Sequence, residues 1–375
     1  MSSSFVTPAE ARVDLSAIRH NAALLKEAAG GAEMLAAVKA DAYGHGLVPC
    51  AKAALEGGAS GLGVATVREA VALRDAGITA PVLAWLIPPG EPLDEAVAKG
   101  VDLSAGAPWL IDEIAAAARR TGKTVNVHLK VDTGISRGGA TAEAWPDLVD
   151  AALKAQAEGV IVVDGVWSHF ACADIPGHPS IDKQLAAFDE AAGSLPGVRR
   201  HIANSAAIVT LPQARYDLVR PGIALYGLSP IPEMGDFGLR PAMTLTARLA
   251  LVKRVPKGTG VSYGHLYVTD RNTTLGLVPL GYADGIMRNA TNRAQVLVND
   301  QRFTIAGRVC MDQFSIDLGD HPATEGDEVV LFGPGDRNEP TCQEWADSLG
   351  TITHEIVTRI GTRVPRVHVR QGDRE

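Results

Sequence analysis

Residues Gly61–Leu86 read GLGVATVREAVALRDAGITAPVLAWL. Gly61–Ala65 and Pro81–Leu86 are short apolar runs bounded by turn-forming residues, and between them Val67–Ala76 carries its apolar residues at helical spacing. A strand, a helix and a second strand in so short a span is a βαβ unit, which pairs its strands in parallel. The same rhythm extends both ways. Six further strands are expected at Glu33–Val38, Val101–Ser104, Thr124–Val131, Val163–Ser168, Arg200–Ile202 and Asp217–Val219. Helices are expected at Ala17–Ala29, Pro108–Arg120, Ala142–Ala157 and Ile181–Ala192. Eight strand-helix units predict an α/β architecture, a (β/α)₈ TIM-type barrel over residues 14–235.

After Pro230 the pattern changes. Met243–Val255, Thr274–Val278, Gln295–Val298, Phe303–Ala306, Phe314–Asp317 and Glu328–Phe332 read as strands. Cys342–Ile360 reads as one or two helices, and Arg363–Val369 as a last strand. A second, mainly β domain is expected over 236–375, and residues 1–13 are candidates to join it. Two domains also suit the length of 375 residues, because single cores seldom grow past about 250–300.

The formal net charge is -8 and no Lys/Arg-rich run occurs, which argues against nucleic acid or an anionic membrane as partner. Cys50, Cys172, Cys310 and Cys342 are far apart, with no C-x-x-C pair, so neither a zinc site nor a disulfide framework is expected. The amino terminus lacks a basic stretch followed by an apolar core, and no apolar run reaches the ~18 residues of a membrane span. A soluble, cytoplasmic protein without a metal is the expectation.

In such a barrel, reactive groups project from the carboxyl ends of the strands, and the turns after strands seven and eight often bind phosphate. Lys39 ends the first strand, Lys130 and Arg137 flank the end of the fifth, and His169 follows the sixth. Asn204 and Ser205 follow the seventh, Arg220 and Gly222 the eighth. A lone lysine there is as readily a snorkelling surface residue. Buried, its amine loses its proton more easily and can react with an aldehyde cofactor. Tyr43 in the following DAYGHG is placed to reach a phosphate, and Asn204, Ser205 and Gly222 can complete a cradle, although each alone is ordinary turn chemistry.

AVKADAYGHG resembles the cofactor-lysine signature of the alanine racemases, which use pyridoxal 5'-phosphate (PLP) and combine a barrel with a β domain. HLKVDTGISRGG, WSHFACAD, HIANSA, LVRPGIALYG, GVSYGH, PLGYADG, AGRVCMDQF and RVPRV resemble the same family in the same order, across nearly the whole chain.

That resemblance implies a role for each position. Lys39 holds PLP covalently; Tyr43, Ser205, Gly222 and Ile223 hold its phosphate, with Asn204 beside them. Arg220 faces the pyridine nitrogen, and Arg137 faces the phenolic oxygen and the substrate carboxylate. His169 packs near the ring and links Arg220 to the catalytic tyrosine. Lys130 is the position often carbamylated, which makes it an anion that orients Arg137. Tyr263 is the second acid/base group, reaching the site from the partner subunit of a homodimer. Met311 and Asp312 line the substrate pocket, and Tyr282 stands at its entrance. The resemblance further implies a small amino acid as substrate and D-alanine for peptidoglycan as the product. Physically, inversion by proton transfer needs a group on each face of a planar intermediate, and one lysine cannot serve both. A permanently cationic Arg220 should leave the ring nitrogen unprotonated, weakening the electron sink and discouraging transamination.

The chain departs from the family at His354, where a tyrosine usually contacts the phosphate and restricts the substrate side chain. A shorter histidine widens the expected range from alanine towards serine. The rival readings are a basic amino-acid decarboxylase of the same PLP barrel class and a non-catalytic PLP carrier. The RPGI and SYG motifs favour racemisation over the first, and the β domain with Tyr263 disfavours the second.

Overall fold

The computed structural model describes residues 8–370. They divide into two units. One comprises Ile18–Ala42 and Leu47–Leu239; the other comprises residues 8–17, Tyr43–Gly46 and 240–370. The described residues begin with β1 (Ala9–Asp14), which belongs to the second unit, and continue into α1 (Leu15–Ala28).

The first unit is built on eight parallel strands: β2 (Glu33–Ala37), β3 (Gly61–Val64), β4 (Val82–Ala84), β5 (Asp102–Ala105), β6 (Val125–Lys130), β7 (Ile161–Trp167), β8 (Arg199–His201) and β9 (Leu218–Val219). The sheet runs β8-β7-β6-β5-β4-β3-β2-β9. Between β8 and β9 the gap is bridged by Asp217 N–H to Arg200 O (3.1 Å) and Arg220 N–H to Ala203 O (2.9 Å), so the sheet nearly closes on itself. Helices α2 (Leu47–Glu56), α3 (Val67–Asp75), α4 (Asp94–Ala98), α5 (Pro108–Thr121), α6 (Trp145–Ala157), α7 (Ser180–Gly193) and α8 (Ser205–Thr210) lie between the strands. The βαβ reading of Gly61–Leu86 holds, with β4 shorter than expected: Pro81 offers no N–H, and Leu86 beyond it is 65% exposed.

Along β6, Val127 and Leu129 are buried apolar residues, while Asn126, His128 and Lys130 share the opposite face, as the two-residue period requires. Asn126 donates to Asp102 (3.0 Å), His128 meets His201 (2.8 Å), and the Lys130 amine sits 4.5 Å from the centre of the Trp167 ring. Part of the barrel interior is therefore polar.

The second unit is mainly β, as expected. Its largest sheet contains β10 (Met243–Arg248), β15 (Gln295–Val298), β16 (Gln301–Thr304), β18 (Glu328–Phe332) and β19 (Arg366–Val369) together with β1, in the order β16-β15-β18-β10-β1-β19. β11 (Leu251–Val255), β14 (Thr273–Val278) and β17 (Phe314–Gly319) form a second sheet, and β12 (Gly260–Val261) and β13 (Tyr267–Val268) a hairpin. Helices α9 (Cys342–Leu349) and α10 (Thr353–Thr358) precede β19. In β1, Ala9, Ala11 and Val13 are buried while Glu10 and Arg12 are partly exposed, the alternation of a sheet with one wet face. Tyr43–Gly46 groups with this unit because β19 holds it. Arg366 donates to Gly44 O (2.9 Å), His368 Nε2 bonds His45 O (2.8 Å), and a Cβ on Gly46 would lie 2.6 Å from His368.

Candidate active site

Lys39 is the second residue past β2, and its amine lies 5.9 Å from the centre of the Trp85 ring. Burial first, then the positive charge of Arg137, push that amine below its usual value; Glu69 opposes this and Arg220 adds to it. Beyond Lys39 the chain makes a left-handed turn in which Ala40, Asp41, Ala42 and Tyr43 all have φ of 53°. Each costs about 1–2 kcal/mol for an L-residue, so something must hold them. Glu69 does part of this: Oε1 accepts from Ala40 N–H (2.6 Å), while Oε2 accepts from Ala65 and Thr66 N–H (3.0 Å each). Asp41 accepts from Leu47 N–H (2.7 Å). Sequence reasoning passed over Glu69, although Thr66-x-x-Glu69 before an apolar helix is a capping box that signals it.

From β6, Lys130 is pushed down to about 8 by burial first, then by Arg137 and Arg220. In the loop beyond, Asp132 accepts from Gly134 N–H (2.9 Å) and Ser136 N–H (3.1 Å), and the loop closes on itself through Ala140 N–H to Lys130 O (2.9 Å). Arg137 rides on this loop, exposed, with no hydrogen-bond or ion-pair partner among the described residues.

Arg220, after β9, is 5% exposed. Its guanidinium donates to His201 Nδ1 (2.7 Å), Ser168 O (2.7 Å) and His169 Nδ1 (3.3 Å), and lies 4.7 Å from the Trp167 ring centre. Burial pushes it down to about 9, which leaves it a cation at neutral pH. Burial, then Arg220, hold His169 well below the usual imidazole value, so it is neutral. Since arginine only donates, His169 Nδ1 accepts and its proton sits on Nε2.

At the ends of β8 and β9, Asn204 caps α8 by accepting from Ala207 N–H (3.0 Å). The Ser205 hydroxyl, 5% exposed, accepts from Gly222 N–H (2.8 Å) and Ala224 N–H (3.3 Å), tying the two turns together. Its own proton goes to no acceptor among the described residues. Ile223 begins the short helical turn beside it.

In the β unit, Tyr263 is 71% exposed on a turn of unusual backbone: Ser262 has φ 61° and ψ -171°, and Gly264 and His265 also have positive φ. A non-glycine residue in the region of Ser262 stores strain. The Ser262 hydroxyl holds it by donating to Arg308 O (2.7 Å). Tyr263, Cys310, Met311 and Asp312 share one hollow of about 560 Å³. Tyr282 backs it, donating its N–H to Cys310 O (3.0 Å), and Arg363, which the sequence did not single out, bonds both Asp312 (2.7 Å) and Asp284 (3.1 Å). His354, on α10, stands 6.0 Å from Tyr43 between ring centres. Burial pushes Tyr43 up to about 12, so it remains a donor.

Residues 13–230 match the model of the alanine racemase N-terminal domain, and residues 242–368 that of the C-terminal domain. The chain belongs to the alanine racemase family. The alanine racemase of Frankia casuarinae is 60% identical over 366 residues, 95% of each chain, and that of Thermobifida fusca is 59% identical, covering 96% of this chain and 98% of its own. The structure of alanine racemase from Streptomyces coelicolor superposes with a TM-score of 0.95 at 56% identity, over 97% of this chain and 98% of that one. The chain is accordingly an enzyme that racemises alanine, in a family that uses PLP. No helix among the described residues is long and apolar enough to cross a membrane.

Proposed function

We propose that the enzyme interconverts L- and D-alanine by proton transfer at Cα between two groups, Lys39 and the Tyr263 of a second copy of the chain. The observation that carries this is the convergence on one barrel mouth of Lys39, Lys130, Arg137 and Arg220, with no carboxylate bonded to Arg137 or Arg220 among the described residues. Such a cluster suits an anionic cofactor and an anionic substrate. The Ser205 hydroxyl, whose proton is left to donate beside two backbone turns, fits a phosphate.

The residues thus fit PLP. Lys39 would hold it covalently; Tyr43, Ser205, Gly222 and Ile223 would hold its phosphate, with Asn204 shaping the turn. Bound there, PLP supplies an electron-withdrawing ring that acidifies the Cα hydrogen. Arg220 would face the ring nitrogen as a donor, and Arg137 would take the phenolic oxygen and the substrate carboxylate. Lys39 holds or accepts the proton on one face of Cα. Tyr263 does so on the other, with neutral His169 linking its hydroxyl to Arg220. Met311 and Asp312 line the substrate side of the second copy's contribution, and Tyr282 its entrance. The exposure of Tyr263 (71%), Met311 (53%) and Leu266 (51%) on one unit supports a homodimer that covers them.

Lys130, at about 8, is half neutral near pH 8 and can be carbamylated. The amine nitrogen bonds the carbon of CO₂, an electron pair moves onto oxygen, and the nitrogen loses a proton to solvent. The resulting anion would orient Arg137, which the amine repels. His354 stands 6.0 Å from Tyr43 between ring centres, where the family usually carries the larger tyrosine, and we assign it a widened tolerance towards serine. All four cysteines are free thiols, which suits a cytoplasmic enzyme supplying D-alanine for peptidoglycan. Borohydride reduction and peptide mapping test the cofactor assignment: the adduct is expected on Lys39 and absent from Lys39→Ala, and an adduct on another lysine would overturn it.

A further inference from the structure

Below Arg220 the barrel interior holds a chain of polar side chains that the racemisation described above does not use. His201 Nε2 lies 2.8 Å from His128 Nδ1, and His128 Nε2 lies 3.2 Å from Asp164 Oδ2. Asp164 also pairs with Arg199, and Arg199 with Glu33. His128 and His201 are buried to within 1%.

The direction of this chain follows from its first member. Arg220 can only donate, so His201 Nδ1 accepts and the His201 proton sits on Nε2. That proton points at His128 Nδ1, which must accept, leaving the His128 proton on Nε2, facing the Asp164 carboxylate. Protonating either histidine a second time would set two N–H groups against each other. Burial and the Arg220 charge favour the neutral form of His201.

Local structure is arranged around this chain. β6 and β7 change register between Val127/His128, so that Val127 pairs Val163 and His128 pairs Gly165, leaving Asp164 as the extra residue of a bulge. Bulges re-aim side chains in this way. Gly165 is bare where it must be: a Cβ there would lie 2.5 Å from His128 Nδ1. Trp167 stacks on His201, the planes within 2°, and fixes its ring.

We propose that Asp164 and His128 are positioning residues for the racemisation. Acting through His201, they fix the acceptor that aligns the Arg220 guanidinium, and they supply the negative end that this buried cation otherwise lacks. No carboxylate bonds Arg220 directly among the described residues. The inference rests on the reading above that Arg220 faces the cofactor's ring nitrogen.

Two measurements on the holoenzyme test it. With ¹⁵N-labelled histidine, long-range ¹H–¹⁵N spectra should show His128 and His201 protonated at Nε2 and bare at Nδ1; a His201 protonated at Nδ1 overturns the relay. Asp164→Ala should lower kcat by about 10- to 100-fold, the usual loss for a hydrogen bond to a charged group, with the KM for alanine within twofold. Its transamination events per racemisation should rise at least fivefold, roughly the smallest change in alignment worth about 1 kcal/mol. Asp164→Asn, which keeps an oxygen acceptor without the charge, should fall between, and it carries the same test if the alanine variant does not fold. A drop in kcat with the transamination ratio unchanged would mean a merely structural role and overturn the proposal. Arg220→Lys is the control. If it too leaves the ratio unchanged, the reading of Arg220 fails, and the relay is then judged by the histidine spectra alone.

Discussion

Ser205→Ala separates the two tasks assigned to one hydroxyl. In the protein fold, that oxygen accepts from Gly222 N–H at 2.8 Å and from Ala224 N–H at 3.3 Å in a site 5% exposed. A buried donor left unpaired costs ~1–3 kcal/mol, and the longer bond is worth less, so apo stability should fall by ~2–4 kcal/mol. That is survivable for a domain stable by ~5–15 kcal/mol. Loss of the donated bond to a phosphate removes a further ~1.5–3 kcal/mol, or about 10- to 150-fold in PLP affinity. Urea unfolding of the apoenzyme reads the first quantity, and PLP titration by absorbance the second. Unchanged apo stability would refute the clasp between the two turns. Lower stability with PLP affinity within twofold of the parent would refute the phosphate contact.

Tyr263→Phe should retain PLP and lose ~10²–10⁴-fold in racemisation, the range for a general acid/base group. Mixed with inactive Lys39→Ala it should regain activity, because one hybrid site holds both native groups; no recovery despite proven subunit exchange would place the site within one chain. His354→Tyr should raise the alanine-to-serine ratio of kcat/KM by ~1–3 kcal/mol, typical of one small group in a pocket, and an unchanged ratio would end the widened-pocket reading. Under ¹³C-labelled CO₂ a carbamate signal should grow as pH rises through about 8, where the Lys130 amine becomes neutral, and be missing in Lys130→Met; its persistence in that variant would exclude Lys130.

Most of the barrel was legible because its strands, β8 (RRH) excepted, are largely apolar runs and most are followed by a helical period, and the candidate residues fall at strand ends, where a sequence can be read by position alone. β1 carries little strand signal in the sequence: Ala9, Ala11 and Val13 alternate with polar residues, but the run is short and two of its buried members are alanines. The left-handed turn after Lys39 had no signal at all. Ala40, Asp41 and Ala42 are not residues that favour positive φ as glycine does, and the bonds that hold them come from Glu69 and Leu47, distant or outside the turn. His128, Asp164 and His201 read as ordinary strand residues. Only the barrel's closure and the bulge at Asp164 bring them into line beneath Arg220. Arg363 lay inside a recognised motif, but its double contact with Asp284 and Asp312 depends on a fold that sets three separate segments together.

In the proposed reaction, Cα of alanine loses its hydrogen on one face and regains it on the other. Incubating the holoenzyme with L-alanine in deuterated water, and following both isomers by chiral chromatography with mass detection, tests it most directly. D-alanine should carry deuterium at Cα from the earliest times, with the same behaviour in reverse from D-alanine, and lysine and ornithine should lose no CO₂. Bound PLP with neither inversion nor deuterium at Cα in alanine would contradict it.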